Sequence, residues 1–211
     1  MDELRSKLKE KYGYENVCVI HANDITPLLH EGFNEFNPKT LRLITEKAFF
    51  IRRYNAEYNS KFKQVIPYVI FRHGKQLFAS RRLSGSGEAR LVGNISLGQS
   101  GHINDVDGIF GKNNLIMSSV TREIHEELNI YCNTECNAKY IGFLNDNSNQ
   151  VSQDHLAVLV LVDVSKPNIT IRETTKSEGT WRDMVWLREN YNLMESWSQK
   201  VFDVLEERMK G

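Results

Sequence analysis

Three glutamates stand within five residues in TREIHEELNI, residues 121–130: Glu123, Glu126 and Glu127, directly after Arg122. On a helix, carboxylates three and four residues apart share a face and repel one another, and each raises the pKa of its neighbours. A divalent cation removes that cost. Oxygen donors without cysteine suit a hard ion, Mg²⁺ or Mn²⁺, which also takes phosphate oxygens from a substrate. The same pattern occurs on plain solvated helix faces, so the surrounding residues must decide.

The elements that position this cluster can be read from periodicity. A helix is expected over about 115–128, with Met117, Val120, Ile124 and Leu128 on its buried arc and the glutamates on the adjoining one. His125 lies about half a turn from the apolar arc and reads as solvated. Upstream, KQVIPYVIFR and QLFASRR, joined at HGK, read as a hairpin. A Gly/Ser loop, RRLSGSGEARLVGN, then carries Arg81, Arg82 and Arg90 into the short strand ISLGQSGHI. Downstream, AKYIGFL and DHLAVLVLVDV read as strands, and KPNITIRETTKSEGTWRDMVWL as a turn and a further strand. A closing helix is expected from about Glu189, burying Leu193, Trp197, Val201, Leu205 and Met209.

Before this block, residues 2–11 read as a helix stopped at Gly13, ENVCVIHA as a strand, and PKTLRLITEKA as a helix with Pro38 in its first turn. The polar run 52–61 marks a boundary. The expected organisation is an N-terminal accessory region, 1–60, and a main domain, 61–211.

The bulk composition narrows the partners. The 27 basic and 27 acidic side chains cancel, which leaves no basic footprint for a nucleic-acid polymer or a membrane surface. No apolar run approaches the roughly 18 residues of a membrane span. Three cysteines, Cys18, Cys132 and Cys136, are too few and too odd for an exported disulfide scaffold, so a cytoplasmic protein is expected. Cys132 and Cys136 have no second Cys or His pair at zinc-site spacing and read as ordinary thiols.

Arg122-Glu123-Ile124-His125-Glu126-Glu127-Leu128-Asn129-Ile130 resembles the core of the Nudix hydrolase signature, R-E-U-x-E-E-x-G-U with U aliphatic. Ile124 and Ile130 fill both U positions. In the full signature Gly108 stands at the box-glycine distance, while Asn114 replaces a Glu and Asn129 the final Gly. Asn tolerates the left-handed conformation that ends helices, so Asn129 is expected to cap this one. Asn114 is a good N-cap but cannot ionise. Gly101, in QSGHIN, is the alternative box glycine and is favoured because it directly follows a strand. The likeness extends over roughly 62–190 and is closest to a bacterial branch of Nudix-type phosphoesterases.

This resemblance implies an α+β fold: a Nudix-like α/β/α sandwich with a mixed sheet, preceded here by a small N-terminal α/β extension. It implies hydrolysis of a diphosphate bond in a nucleoside diphosphate derivative by a metal-activated water. Carried over, Glu123, Glu126 and Glu127 would ligate Mg²⁺ or Mn²⁺, with the Ser100 carbonyl joining them. Glu123 would ligate or act as base, and Arg122 would hold a glutamate. Glu178 is the further catalytic carboxylate expected from a late loop, with Glu173 second. Arg81, Arg82, Arg90 and Gly101 are the expected substrate-binding residues, and Trp181, Trp186, Phe110 and Tyr68 the aromatics available to stack on a base. The partner is then a small phosphate-containing molecule. A non-catalytic module sensing a nucleotide or sugar phosphate remains open, as does a scaffold whose glutamates merely solvate a helix. Residues 1–60 are expected to cover the site or to form a homodimer contact.

Overall fold

The computed structural model describes residues 2–83, 92–110, 115–130, 137–175 and 177–210. The chain is α+β, with a large mixed sheet of ten strands and a separate two-stranded sheet. Arg90, Asn114, Cys132 and Cys136 lie outside the described residues.

Two compact units emerge, neither continuous in sequence: 1–67 with 101–120 and 142–158, and 68–100 with 121–141 and 159–211. Residues 1–60 fall wholly in the first.

The first elements follow local rules. Helix α1 (Asp2–Tyr12) ends where Gly13 takes a positive φ of 55° and donates to the Lys9 carbonyl. Strand β1 (Asn16–His21) is followed by one helical turn, α2 (Ala22–Ile25), and by β2 (Gly32–Glu35). Helix α3 (Pro38–Lys47) starts as read: the Asn37 side chain accepts from Lys39 N, and Pro38 occupies the first turn, where no amide hydrogen is needed. Strand β3 (Phe49–Arg52) and the turn α4 (Arg53–Ala56) lead into β4 (Phe62–His73).

Within this first unit β1 is the organiser. It pairs antiparallel with β3, Asn16 to Arg52 through Val19 to Phe49, and with the start of β4, His21 to Phe62. Val17, Val19 and Ala56 form an apolar cluster against Phe49, Ile51 and Phe62.

The second unit begins with the hairpin expected at HGK. Strand β4 pairs with β5 (Gln76–Arg82), Arg72 to Leu77 and His73 to Gln76, and Gly74 supplies the positive φ of the turn. The next segment splits into β6 (Ile95–Ser96) on β5 and β7 (Gly98–Ser100) on β4. Gly98 must lack a side chain, because a Cβ there would lie 2.2 Å from the Tyr68 ring. A 3-10 turn over Asp105–Phe110 contains Gly108, whereas Gly101 directly follows β7.

Helix α5 (Leu115–Glu127) is the glutamate helix. It gives way at once to β8 (Leu128–Ile130), which pairs with β11 (Ile169–Ile171). Asn129 is therefore not a left-handed cap. It sits in a strand opposite Thr170, and among the described residues Tyr58 is the one non-glycine residue with positive φ. Pairing to a distant strand outweighs the local capping preference.

The remaining elements are β9 (Asn137–Asn145), the turn α6 (Gln150–Gln153), β10 (His155–Asp163), β12 (Ser177–Asp183), α7 (Met184–Glu189) and α8 (Ser196–Lys210). The closing helix thus starts later than expected. Asp183 caps α7 by accepting from Trp186 N, the chain leaves the helix at Asn190, and a 3-10 turn over Tyr191–Leu193 exposes Leu193. Helix α8 buries Val201, Phe202 and Leu205. Among the described residues no helix is long and apolar enough to cross a membrane.

Candidate functional site

The C-terminal end of α5 is fixed by the residue that follows β11, Arg172. Arg172 N donates to the Glu127 carbonyl at 2.8 Å, and its side-chain Nε donates to the Leu128 carbonyl at 3.1 Å. Both bonds satisfy carbonyls that the helix leaves open, and the guanidinium charge complements the negative end of the helix dipole. Ile171 and Glu173 flank Arg172 and so arrive beside Glu127.

A cavity of about 230 Å³ opens there. Glu127 and Glu173 share it with Arg82, Ser177 and the β7 residues Gln99 and Ser100. Gly179 lets Ile171 pack over β12: a Cβ would meet the Phe78 ring at 2.4 Å and Ile171 at 2.9 Å.

Charge is strongly unbalanced at this spot. Burial pushes the Glu127 carboxyl up, the Glu123 carboxylate raises it further, Glu173 and Glu126 add to it, and Arg82 opposes; the result is about 7. Arg82 is held by Glu195, Nε to Oε1 at 2.9 Å. Burial disfavours its charge, but the Glu195 and Glu127 carboxylates hold its pKa above the usual arginine value. Arg122 bridges the other two helix glutamates, donating from Nη1 to Glu123 at 2.7 Å and to Glu126 at 3.1 Å.

Among the described residues no three His, Cys, Asp or Glu side chains close into a metal-binding group. The donor chemistry at Glu127 nonetheless fits a hard divalent cation. A half-buried carboxyl crowded by three others, with one guanidinium opposing, is what a cation of that kind neutralises.

The expected residues divide between two places. Glu127, Ser100 and Arg82 meet in one cavity, and Glu123 and Glu126 stand on the same helix, bound to Arg122. Arg81 and Glu178 do not join them. Strand register sets Ser177 opposite Arg82 and Glu178 opposite Arg81. Because side chains alternate along a strand, the second pair faces the other side of the ribbon and lines a different cavity. Glu173 reaches the Glu127 cavity instead. Of the aromatics, Tyr68 is buried core, its hydroxyl 2.8 Å from Ser198 Oγ, and Trp181 packs edge-on against Phe78. Glu195 was not anticipated: nothing local in the sequence ties it to an arginine 113 residues away.

Protein YmaB of Bacillus subtilis (strain 168) is 34% identical over 160 residues, covering 74% of this chain and 77% of that protein. The solved structure of Tm1382, assigned provisionally as a Nudix hydrolase, superimposes with a TM-score of 0.75 at 26% identity, covering 90% of this chain and 98% of that one. No family model matches the chain.

Proposed function

Because the chain belongs to the Nudix hydrolase family, we propose that it is a divalent-metal-dependent hydrolase cleaving a phosphoanhydride bond in a nucleoside diphosphate derivative. The observation that carries this reading is the Glu127 carboxyl, raised to about 7 in a cavity it shares with a guanidinium.

Glu127, Glu123 and Glu126 would hold Mg²⁺ or Mn²⁺, with Ser100 at the cavity wall. Bound there, the ion would lower the pKa of a water and offset phosphate charge. The chain's own residues do the rest. Arg122 holds Glu123 and Glu126 in place on α5. Arg82, anchored by Glu195, offers its remaining N–H groups to phosphate oxygens, for which the planar guanidinium fork is suited. Glu173, in the same cavity, accepts the proton of the attacking water at its carboxylate. The protein is read as cytoplasmic, acting on a small molecule, with a homodimer contact as a role for residues 1–60.

One observation favours a second reading, a binding module without turnover: Arg122 engages both Glu123 and Glu126. The two are separated by assaying phosphate and nucleoside monophosphate release from a panel of nucleoside diphosphate derivatives with Mg²⁺ or Mn²⁺, with Glu127→Gln in parallel. Turnover lost in the variant supports the hydrolase. Metal-dependent thermal stabilisation by one compound, with no release, supports the binding module.

A further inference from the structure

The residues that the strand register turns away from Glu127 form a site of their own. On β12, Glu178 and Arg182 project to the side facing α7, and on β5 Arg81 joins them. With Trp186 they line a second cavity of about 290 Å³, near the lower end of the roughly 300–1,000 Å³ typical of ligand pockets.

Its chemistry is unspent. The Arg182 guanidinium lies 4.1 Å from the centroid of the Trp186 ring, and both residues line the cavity. Arg182 Nε is buried yet has no hydrogen-bond partner among the described residues, so it is a donor left unsatisfied by the chain itself. Arg81 commits Nε to the Gly93 carbonyl at 3.0 Å and keeps its remaining N–H groups. Glu178 stands opposite Arg81 in register, and no ion pair joins them.

The platform is also rigid. Trp186 N donates to Asp183 Oδ1 at 2.8 Å, and the Trp186 carbonyl accepts from Asn190 Nδ2 at 2.9 Å. The backbone that carries the indole is therefore tied at both ends of α7.

We propose that this cavity is a second, non-catalytic site for a nucleoside monophosphate. A flat heteroaromatic ring stacks on the face of Arg182 opposite the indole, completing a ring–guanidinium–indole stack. Glu178 accepts from an exocyclic amino group, and Arg81 binds the phosphate. The cavity adjoins the Glu127 site: Ser80 lines both, and Ile95, which lines this one, accepts from Glu195 N at 2.9 Å, while the Glu195 carboxylate holds Arg82.

The test is calorimetric titration of the full chain with adenosine 5′-monophosphate, adenosine and inorganic phosphate, in the presence of a chelator so that metal-dependent binding at Glu127 does not contribute. Adenosine 5′-monophosphate is expected to bind with unit stoichiometry, and adenosine and phosphate at least tenfold more weakly. Arg182→Met, which keeps the aliphatic stem, and Glu178→Gln should each weaken binding tenfold or more, while Arg82→Met leaves it within threefold. Circular dichroism melts of each variant separate a lost site from a lost fold. The proposal is overturned if the monophosphate does not bind, if phosphate alone binds as well, or if binding follows Arg82 rather than Arg182. Because these residues lie outside the Glu127 cavity, either result leaves the hydrolase assay to be judged on its own.

Discussion

Arg82 and Glu195, 113 residues apart, are joined Nε to Oε1 at 2.9 Å, with the Glu195 side chain only 14% exposed. This ion pair holds the one arginine, among the described residues, that shares a cavity with Glu127. Glu195→Gln keeps the volume and removes the charge that fixes the guanidinium. Expected are a roughly tenfold rise in KM, equivalent to about 1.4 kcal/mol, with kcat changed less than threefold, and a melting temperature lower by about 2–4 °C. A double-mutant cycle with Arg82→Met checks the coupling: the two effects must be strongly non-additive. Additive losses would mean that the pair is incidental to binding.

Glu127 illustrates a cost that function imposes on stability. Its carboxyl is half-buried and crowded by Glu123, Glu173 and Glu126, so at pH 8, where it is ionised, the metal-free fold carries an unfavourable charge. Glu127→Gln removes that charge. The variant should melt several degrees higher than the parent in chelator at pH 8, on a scale of about 2–4 °C per kcal/mol, while losing at least a hundredfold in turnover. Mg²⁺ should raise the melting temperature of the parent and not of the variant. Equal responses to Mg²⁺ would remove Glu127 from the metal-holding set.

How far these features could be read in the sequence depends on the range of the interaction behind them. Helix α5 and the shared face of its glutamates follow from spacing within one segment, and so were legible. The start of α3 at Asn37-Pro38 was legible for the same reason. Asn129 misled because its fate is set by pairing with Thr170, 41 residues on. Leu193 misled because an apolar spacing ran on through Asn190 and Asn192, where the backbone leaves the helix. Arg81 and Arg82 were grouped as loop neighbours. Their separation was implicit in reading QLFASRR as a strand, since consecutive strand residues face opposite sides. Which of Glu173 and Glu178 meets Glu127 required the β5–β12 register, and a single sequence does not contain it.

Buried hydroxyls beside the site give a stability prediction independent of any substrate. Ser198 Oγ lies 2.8 Å from Tyr68 OH and accepts from Leu97 N at 3.0 Å. Tyr68→Phe removes one buried hydrogen bond and should cost about 1 kcal/mol. Ser198→Ala strands the Leu97 amide and leaves the tyrosine hydroxyl only the longer contact to Ser96 Oγ at 3.5 Å, so it should cost more, about 2–3 kcal/mol. Chemical denaturation measures both. The reverse order would show that Ser198 is not the shared partner.

His102 provides the pH dependence of the fold. It is half-buried, and desolvation first, then the positive charge of Arg53 and the neighbouring His155, hold its pKa well below 6.5. Its ring lies 5.8 Å from that of His155. The folded chain therefore keeps this imidazole neutral at a pH where the unfolded chain protonates it. Below about 6.5 the unfolded state binds the extra proton, so stability is fully present above that pH and falls as the pH drops, by up to about 1.4 kcal/mol per unit. His102→Gln, neutral throughout, lacks this linkage. Between pH 7.5 and pH 5 the parent should lose about 2–4 °C more in melting temperature than the variant for each kcal/mol of linkage. Parallel curves for the two proteins would show that His102 takes up its proton in the folded state as readily as in the unfolded one.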